Sequence, residues 1–225
     1  MCIRDSPSTA LLTDYTVGSL SVAPAVSVTT HLKFCQQCRD SVGSLKQLGG
    51  ALLCEAEPSP ISDDLLSQTL GRLEAEENEA PLAEGASEVQ DFELSEELKG
   101  IPDYLNQFLP RNGLNWRKLS SSVTVAPISV GETQYELALH KICAGGQTPA
   151  HDHNGVEYTV VLKGSFSDED GMYHEGDFLI REPGDVHRPF ATQHEDCICL
   201  SVLEAPIRLK GLGRVLNPFM RFQPS

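Results

Sequence analysis

Apolar positions in the first 56 residues recur at helical spacing. Leu11, Leu12, Tyr15 and Leu20 form one stripe, and Val22, Val26, His31, Leu32 and Cys35 continue it. Gly18-Ser19 marks the break between two helices, and a third begins near Cys38, weakened by Gly49-Gly50. Beyond Pro58-Ser59-Pro60, Ser62 is placed to cap a fourth helix that carries Leu65, Leu66, Thr69, Leu70 and Leu73 on one side. From Glu74 to Glu97 acidic residues dominate, which predicts a solvated linker. After Pro102 the period changes to short β-rich runs: Trp116–Leu119, Ser122–Ile128, Tyr135–Cys143, Tyr158–Leu162, Asp177–Arg181 and Ile198–Leu203, separated by glycine-containing turns. Short, evenly spaced strands of this kind predict an antiparallel barrel or double-sheet roll. The expected fold class is therefore α+β in two domains: a helical domain at 1–80, an acidic linker at 81–100 and an all-β domain at 101–225.

Charge sharpens that division. The chain of 225 residues has a net charge of -15, and residues 57–100 hold thirteen acidic against two basic side chains. This balance argues against direct nucleic-acid binding, which needs a basic face for phosphates, and fits a partner with a basic surface. No apolar run is long enough to span a bilayer, and Ser6, Pro7, Ser8 and Thr9 interrupt any signal-peptide core, so the expected location is cytoplasmic. In a reducing compartment, seven cysteines read as metal ligands or redox thiols rather than a disulfide frame.

Two constellations carry chemistry. The first is Pro149-Ala150-His151-Asp152-His153-Asn154-Gly155-Val156-Glu157, answered downstream by His187. Read as one strand region, His151, His153 and Glu157 share a face, and His187 arrives from another strand. Three imidazoles and a carboxylate suit Zn, Fe, Mn, Ni or Cu, because ligand type alone constrains the metal weakly. His140, His174 and His194 fall outside this pattern; His140 is expected to satisfy a local hydrogen bond and His174 to be exposed. Cys197-x-Cys199 puts two thiols on one strand face, where they are either small core residues or redox candidates.

The second constellation is His31-x3-Cys35-x2-Cys38. On one helix all three side chains share a face. If instead the helix turns at Cys35, the Cys-x2-Cys pair forms a knuckle around the ion. Either arrangement supplies three corners of a tetrahedral Zn2+ site.

The spacing Gly145…His151-x-His153…Glu157…Gly164, with Gly176-Asp177-Phe178 and Pro183-Gly184-Asp185-Val186-His187, resembles the cupin superfamily, whose barrel is a double-stranded β-helix. Pro183 directly before Gly184, and Ala191 where an Asn is usual, depart from that pattern. The His31, Cys35, Cys38 motif following the segment Leu11–Leu20 resembles the zinc-binding anti-sigma domain. Their order along the chain resembles the ChrR family of anti-sigma factors. That resemblance implies a protein that inhibits a group IV (extracytoplasmic-function, ECF) sigma factor through its N-terminal domain. It also implies release under oxidative stress, notably singlet oxygen, with the cupin metal domain as sensor. It implies Zn2+ at the N-terminal site, and Zn2+ or another divalent metal in the cupin.

The family places a fourth zinc ligand, a His, near positions 5–6, where this chain has Asp5 and Ser6. Asp5 is the stand-in, with Cys2 more distant. Residues 1–6 also resemble translated sequencing-adapter sequence, which leads us to expect that the native histidine is missing. Leu65, Leu66, Leu70 and Leu73 are the expected partner-docking face. No catalytic residue and no small-molecule substrate are expected. The rival expectation is a dioxygenase-like cupin metalloenzyme with a regulatory zinc module.

Overall fold

The computed structural model describes residues 5–79, 102–109 and 113–211, with isolated positions 214, 217, 222 and 224 beyond them. The acidic linker expected at 81–100 lies outside the described residues, as does Cys2.

Among the described residues four α-helices come first: α1 (Thr9–Val17), α2 (Val22–Phe34), α3 (Gln36–Glu55) and α4 (Leu65–Glu79). Ser8 caps α1 through its hydroxyl, which accepts from Leu11 N, and Gly18 ends it in the left-handed conformation at φ 76°. Helix α3 starts two residues earlier than the sequence pattern suggested and runs unbroken through Gly49-Gly50. The start of α4 corrects the expected cap. Asp64, not Ser62, offers the carbonyl that accepts the first helical bond, from Gln68 N, while Ser62 O accepts from Leu65 N in the preceding turn. A short 3₁₀ helix, Asp103–Phe108, leads into the β half.

Among the described residues twelve strands follow: β1 (Arg117–Lys118), β2 (Val123–Ile128), β3 (Glu136–Ile142), β4 (His151–His153), β5 (Glu157–Lys163), β6 (Ser165–Ser167), β7 (Met172–His174), β8 (Phe178–Arg181), β9 (Val186–His187), β10 (Phe190–Ala191), β11 (Cys197–Leu203) and β12 (Ile207–Leu209). They form a six-stranded sheet in the order β1-β2-β3-β11-β5-β8 and two three-stranded sheets, β10-β6-β7 and β12-β4-β9. All the pairings are antiparallel. The runs expected from the sequence correspond to β1, β2, β3, β5, β8 and β11. The strands of the small sheets are two or three residues long, too short to show a period.

The six-stranded sheet is buried on both faces, and this organises the molecule. Its inner face holds Val123, Ile142, Val161, Leu179, Cys197 and Cys199, facing the barrel interior with Phe166 and Tyr173. Its outer face holds Ala126, Ile128, Leu137, Leu139, Val160, Leu162, Phe178, Ile198, Leu200 and Val202, which share one core with Leu11, Leu12, Ala23, Val26, Val28, Cys35, Cys38 and Val42 of the helices. Every residue of β11 is buried, which is why Cys197-Ile-Cys-Leu-Ser-Val-Leu203 shows no clean polar alternation. Helix α2 lies against β5 and β11. The β2–β3 loop caps it, since Val22 N and Ala23 N each donate to the Glu132 carboxylate at 3.0 Å. Tyr104 OH donates to Val26 O at 2.8 Å and also bonds the Thr30 hydroxyl.

Gly164, in the tight β5–β6 turn, has no substitute. Its φ is +72°, and an added Cβ would sit 2.5 Å from the carbonyl oxygen of Asp196.

Candidate metal centres

The structure brings His151, His153, Glu157 and His187 together, with one ligand-capable atom of each within 4.8 Å of the others, all buried. It does so by a different route from the one the sequence suggested. His151 and His153 occupy β4, but the chain turns at Asn154-Gly155, and Glu157 opens β5 in another sheet. The expected single strand region is therefore two strands, and strand parity is not what places the carboxylate. His187 pairs directly with His151 across β4 and β9.

The hydrogen bonds show which ring atoms face inward. His151 Nδ1 lies 2.9 Å from Pro149 O and His153 Nδ1 3.1 Å from Asp185 O. His187 Nδ1 lies 3.1 Å from Asp168 Oδ2. Each Nδ1 therefore faces an oxygen acceptor outside the cluster and each ring turns its Nε2 inward, with His187 Nδ1 also 3.4 Å from Arg181 Nε. Yet the Nε2 atoms of His151 and His187 stand 3.0 Å apart. Two lone pairs at that distance repel unless a proton or a cation lies between them. Burial holds His151 down at about 4, against the pull of Glu157, so this ring does not supply the proton. A metal cation fits the arrangement, and Nδ1 bonds to outer oxygens are the usual way protein structures orient ligating histidines.

Glu157 is ionised. Burial alone would raise its pKa, but the facing imidazoles hold it far below the ordinary carboxylate range. Its Oε2 lies 2.7 Å from His153 Nε2, and its Oε1 accepts from Thr159 Oγ1 at 3.1 Å. Asp168, which the sequence reading missed, anchors His187. It is held in turn by Arg181 Nη2 at 2.6 Å, while Arg181 Nη1 reaches Asp170 at 2.8 Å. The signal was available in the Asp168-Glu169-Asp170-Gly171 turn, but only as a hairpin tip.

The cluster opens onto a cavity of about 260 Å³ inside the barrel, to which His151, Glu157 and His187 present their side chains. His140 lines this cavity rather than satisfying the local bond expected of it, and burial lowers its pKa. His174 is exposed, as expected. Cys199 also lines the cavity, and its Sγ lies 3.7 Å from that of Cys197. The bond to Cys197 and burial push the Cys199 thiol well above its ordinary value.

The second cluster joins His31, Cys35 and Cys38, again within 4.8 Å and buried. Of the two arrangements open from sequence, the chain takes the knuckle. His31 lies in the last turn of α2, Cys35 in extended backbone (φ -106°, ψ 108°) between the helices, and Cys38 in the first turn of α3. His31 Nε2 faces Cys38 Sγ at 3.3 Å. Its Nδ1 donates to the carbonyl of Gly176 in the β half at 2.7 Å, and its ring packs edge-on against Phe178 at 5.7 Å. Burial lowers the His31 pKa, so the ring is neutral and suited to ligation. Asp5 does not join this cluster. Its carbonyl accepts from Phe178 N at 2.9 Å, which ties residue 5 to the edge of β8.

A buried antiparallel double-sheet barrel with three histidines and a glutamate at its mouth defines a cupin, here fused to a helical module with a thiolate-rich site. Residues 108–205 match the ChrR cupin-like domain family. The chain is 34% identical over 222 residues to the anti-sigma-E factor ChrR of Cereibacter sphaeroides, covering 98% of this chain and all of that protein. The crystal structure of Rhodobacter sphaeroides SigE in complex with the anti-sigma ChrR superposes with a TM-score of 0.69 at 31% identity, covering 90% of this chain and all of the matched chain. The chain belongs to the ChrR family of anti-sigma factors.

Proposed function

We propose that this protein is an anti-sigma regulator, not an enzyme: it binds an ECF sigma factor through its helices and releases it under oxidative stress sensed in the cupin. The observation that carries the reading is an unburied apolar surface in a chain of this family. Leu65, Leu66, Leu70 and Leu73 are 44–69% exposed on α4. Leu48, Leu52 and Leu53, a set the sequence reading did not single out, are 58–77% exposed on α3. An amphipathic helix with its apolar side bare suits docking in a groove of a partner.

In this reading residues 1–80 form the sigma-binding domain, 81–100 the linker and 101–225 the sensor, in the cytoplasm. No described helix is long and apolar enough to cross a membrane. His31, Cys35 and Cys38 hold Zn2+, whose role is to fasten α2 to α3. His151, His153, Glu157 and His187 hold Zn2+ or another divalent cation, which supplies a local positive charge and a coordination point at the cavity. Cys197 and Cys199 are the oxidisable sulfurs, of which Cys199 is reached through the cavity. Strand β8 lies between the two sites: Leu179 lines the cavity, while Phe178 touches His31 and the neighbouring Gly176 carbonyl holds its ring. Loosening the barrel thereby removes a support of the N-terminal site and biases the protein toward a form with lower affinity for the sigma factor.

The test is co-expression of the full chain with the ECF sigma factor encoded beside its gene. Stable co-purification, lost on changing Leu66 and Leu70 to Asp with both metals retained, supports the reading. A chain that carries both metals and captures no ECF sigma factor overturns it.

A further inference from the structure

The cupin cavity has a composition that selects a ligand, and sigma-factor binding through the helices does not account for it. Leu119, Val123, Ile142, Phe166, Leu179 and Leu209 wall it. Among its polar groups are His151, Glu157 and His187 of the cluster, Arg181 beside them, the His140 ring, and Thr148, whose buried Oγ1 has no hydrogen-bond partner. At the packing density of a protein interior, about 260 Å³ accepts a body on the order of ten non-hydrogen atoms. Water alone would fill this space poorly, because most of the wall offers it nothing to bond.

Charge decides the head group. A divalent cation held by three imidazole ligands and one carboxylate would keep an excess positive charge in a low-dielectric cavity. The nearby carboxylate that could compensate, Asp168, is already paired with Arg181 and His187. We propose that this cavity binds a small apolar monoanion, a medium-chain or aromatic carboxylate, with its tail in the barrel and its head at the metal centre. Thr148 then donates to the bound head. The inference rests on the cluster being a metal centre and is independent of which sigma factor the helices bind.

Full-length protein loaded with Zn2+, its two equivalents verified by elemental analysis, is titrated with octanoate by calorimetry and followed by thermal denaturation. One-to-one binding is expected, with a dissociation constant on the order of 10 μM and a rise in Tm. Octanol, with the tail but no charge, and acetate, with the head but no tail, should each bind at least about tenfold more weakly. Ile207→Trp, at a half-buried position in the cavity wall, should abolish binding. Thr148→Val, which is close to isosteric, should weaken it severalfold, and both variants should retain two metals. Equal affinity for octanol and octanoate, equal binding by protein stripped of the cupin metal, or no heat at millimolar octanoate would each overturn the proposal. Sigma-factor capture is measured on the same preparations. Capture without octanoate binding overturns only this inference, and octanoate binding without capture overturns only the regulator reading.

Discussion

The two ligand clusters of this protein are built on opposite principles. The N-terminal one takes soft donors from a helix end, a linking residue and a helix start, so an ion there joins two helices. It is closed by packing, and one of its supports, the Gly176 carbonyl, belongs to the other half of the molecule. The cupin cluster takes imidazoles and a carboxylate from strands that pair without any ion, and one side faces a cavity. The difference bears on what an ion would do at each. Where the backbone has no other reason to hold its shape, an ion would be structural; where a hydrogen-bonded sheet already holds the ligands, an ion would be free to meet something else.

That contrast can be broken most directly at the thiolates. Changing Cys35 and Cys38 together to Ser should remove one metal equivalent, unfold the α2–α3 junction and abolish sigma-factor capture, read by elemental analysis, far-UV circular dichroism and co-purification. If helicity and capture survive, the structural role of that site is wrong. His151→Ala with His187→Ala should also cost one metal equivalent but leave the sheet signal intact, lowering stability by only a few kcal/mol, because packing and strand pairing remain. Collapse of the barrel would erase the proposed contrast.

Smaller changes sharpen it. Gly164→Ala forces a Cβ against the Asp196 carbonyl at a left-handed position and should cost about 2 kcal/mol or more in denaturant unfolding with both metals still bound. Asp168→Asn should weaken cupin metal affinity by about 10–100-fold in a chelator competition, since it slackens the hold on His187, and leave the thiolate site untouched. The least effect is expected from Glu132→Gln, which weakens the cap on α2 by about 1 kcal/mol. It should lower Tm slightly and change neither metal content.

How much of this was legible in the chain depends on how local each feature is. His31, Cys35 and Cys38 lie within eight positions, so their meeting requires only a turn, and the alternatives were one helix or a knuckle. Gly18 and the strand runs β2, β3, β5 and β11 follow from backbone freedom and β-rich composition. Leu65, Leu66, Leu70 and Leu73 show their stripe, but a stripe does not say whether it is covered, and only the fold leaves it bare. Asp5 was a reasonable stand-in by position, yet a main-chain bond to Phe178 sends it elsewhere. The role of Asp168 depends on His187 and Arg181, 19 and 13 residues away in strands β9 and β8, and that of His140 on the strands that enclose the cavity.

The sequence by itself determined the ligand identities, the division of charge, the turn glycines and the change from helical to strand period, because each is a property of neighbours along the chain. Only the tertiary structure decided that the six-stranded sheet is covered by helices on one side and encloses a cavity on the other. It also decided that Glu157 reaches its histidines by a turn rather than by strand parity, and that a barrel carbonyl holds His31. These depend on burial of surface and on hydrogen bonds between distant segments, and such pairings leave no period in the sequence to be read.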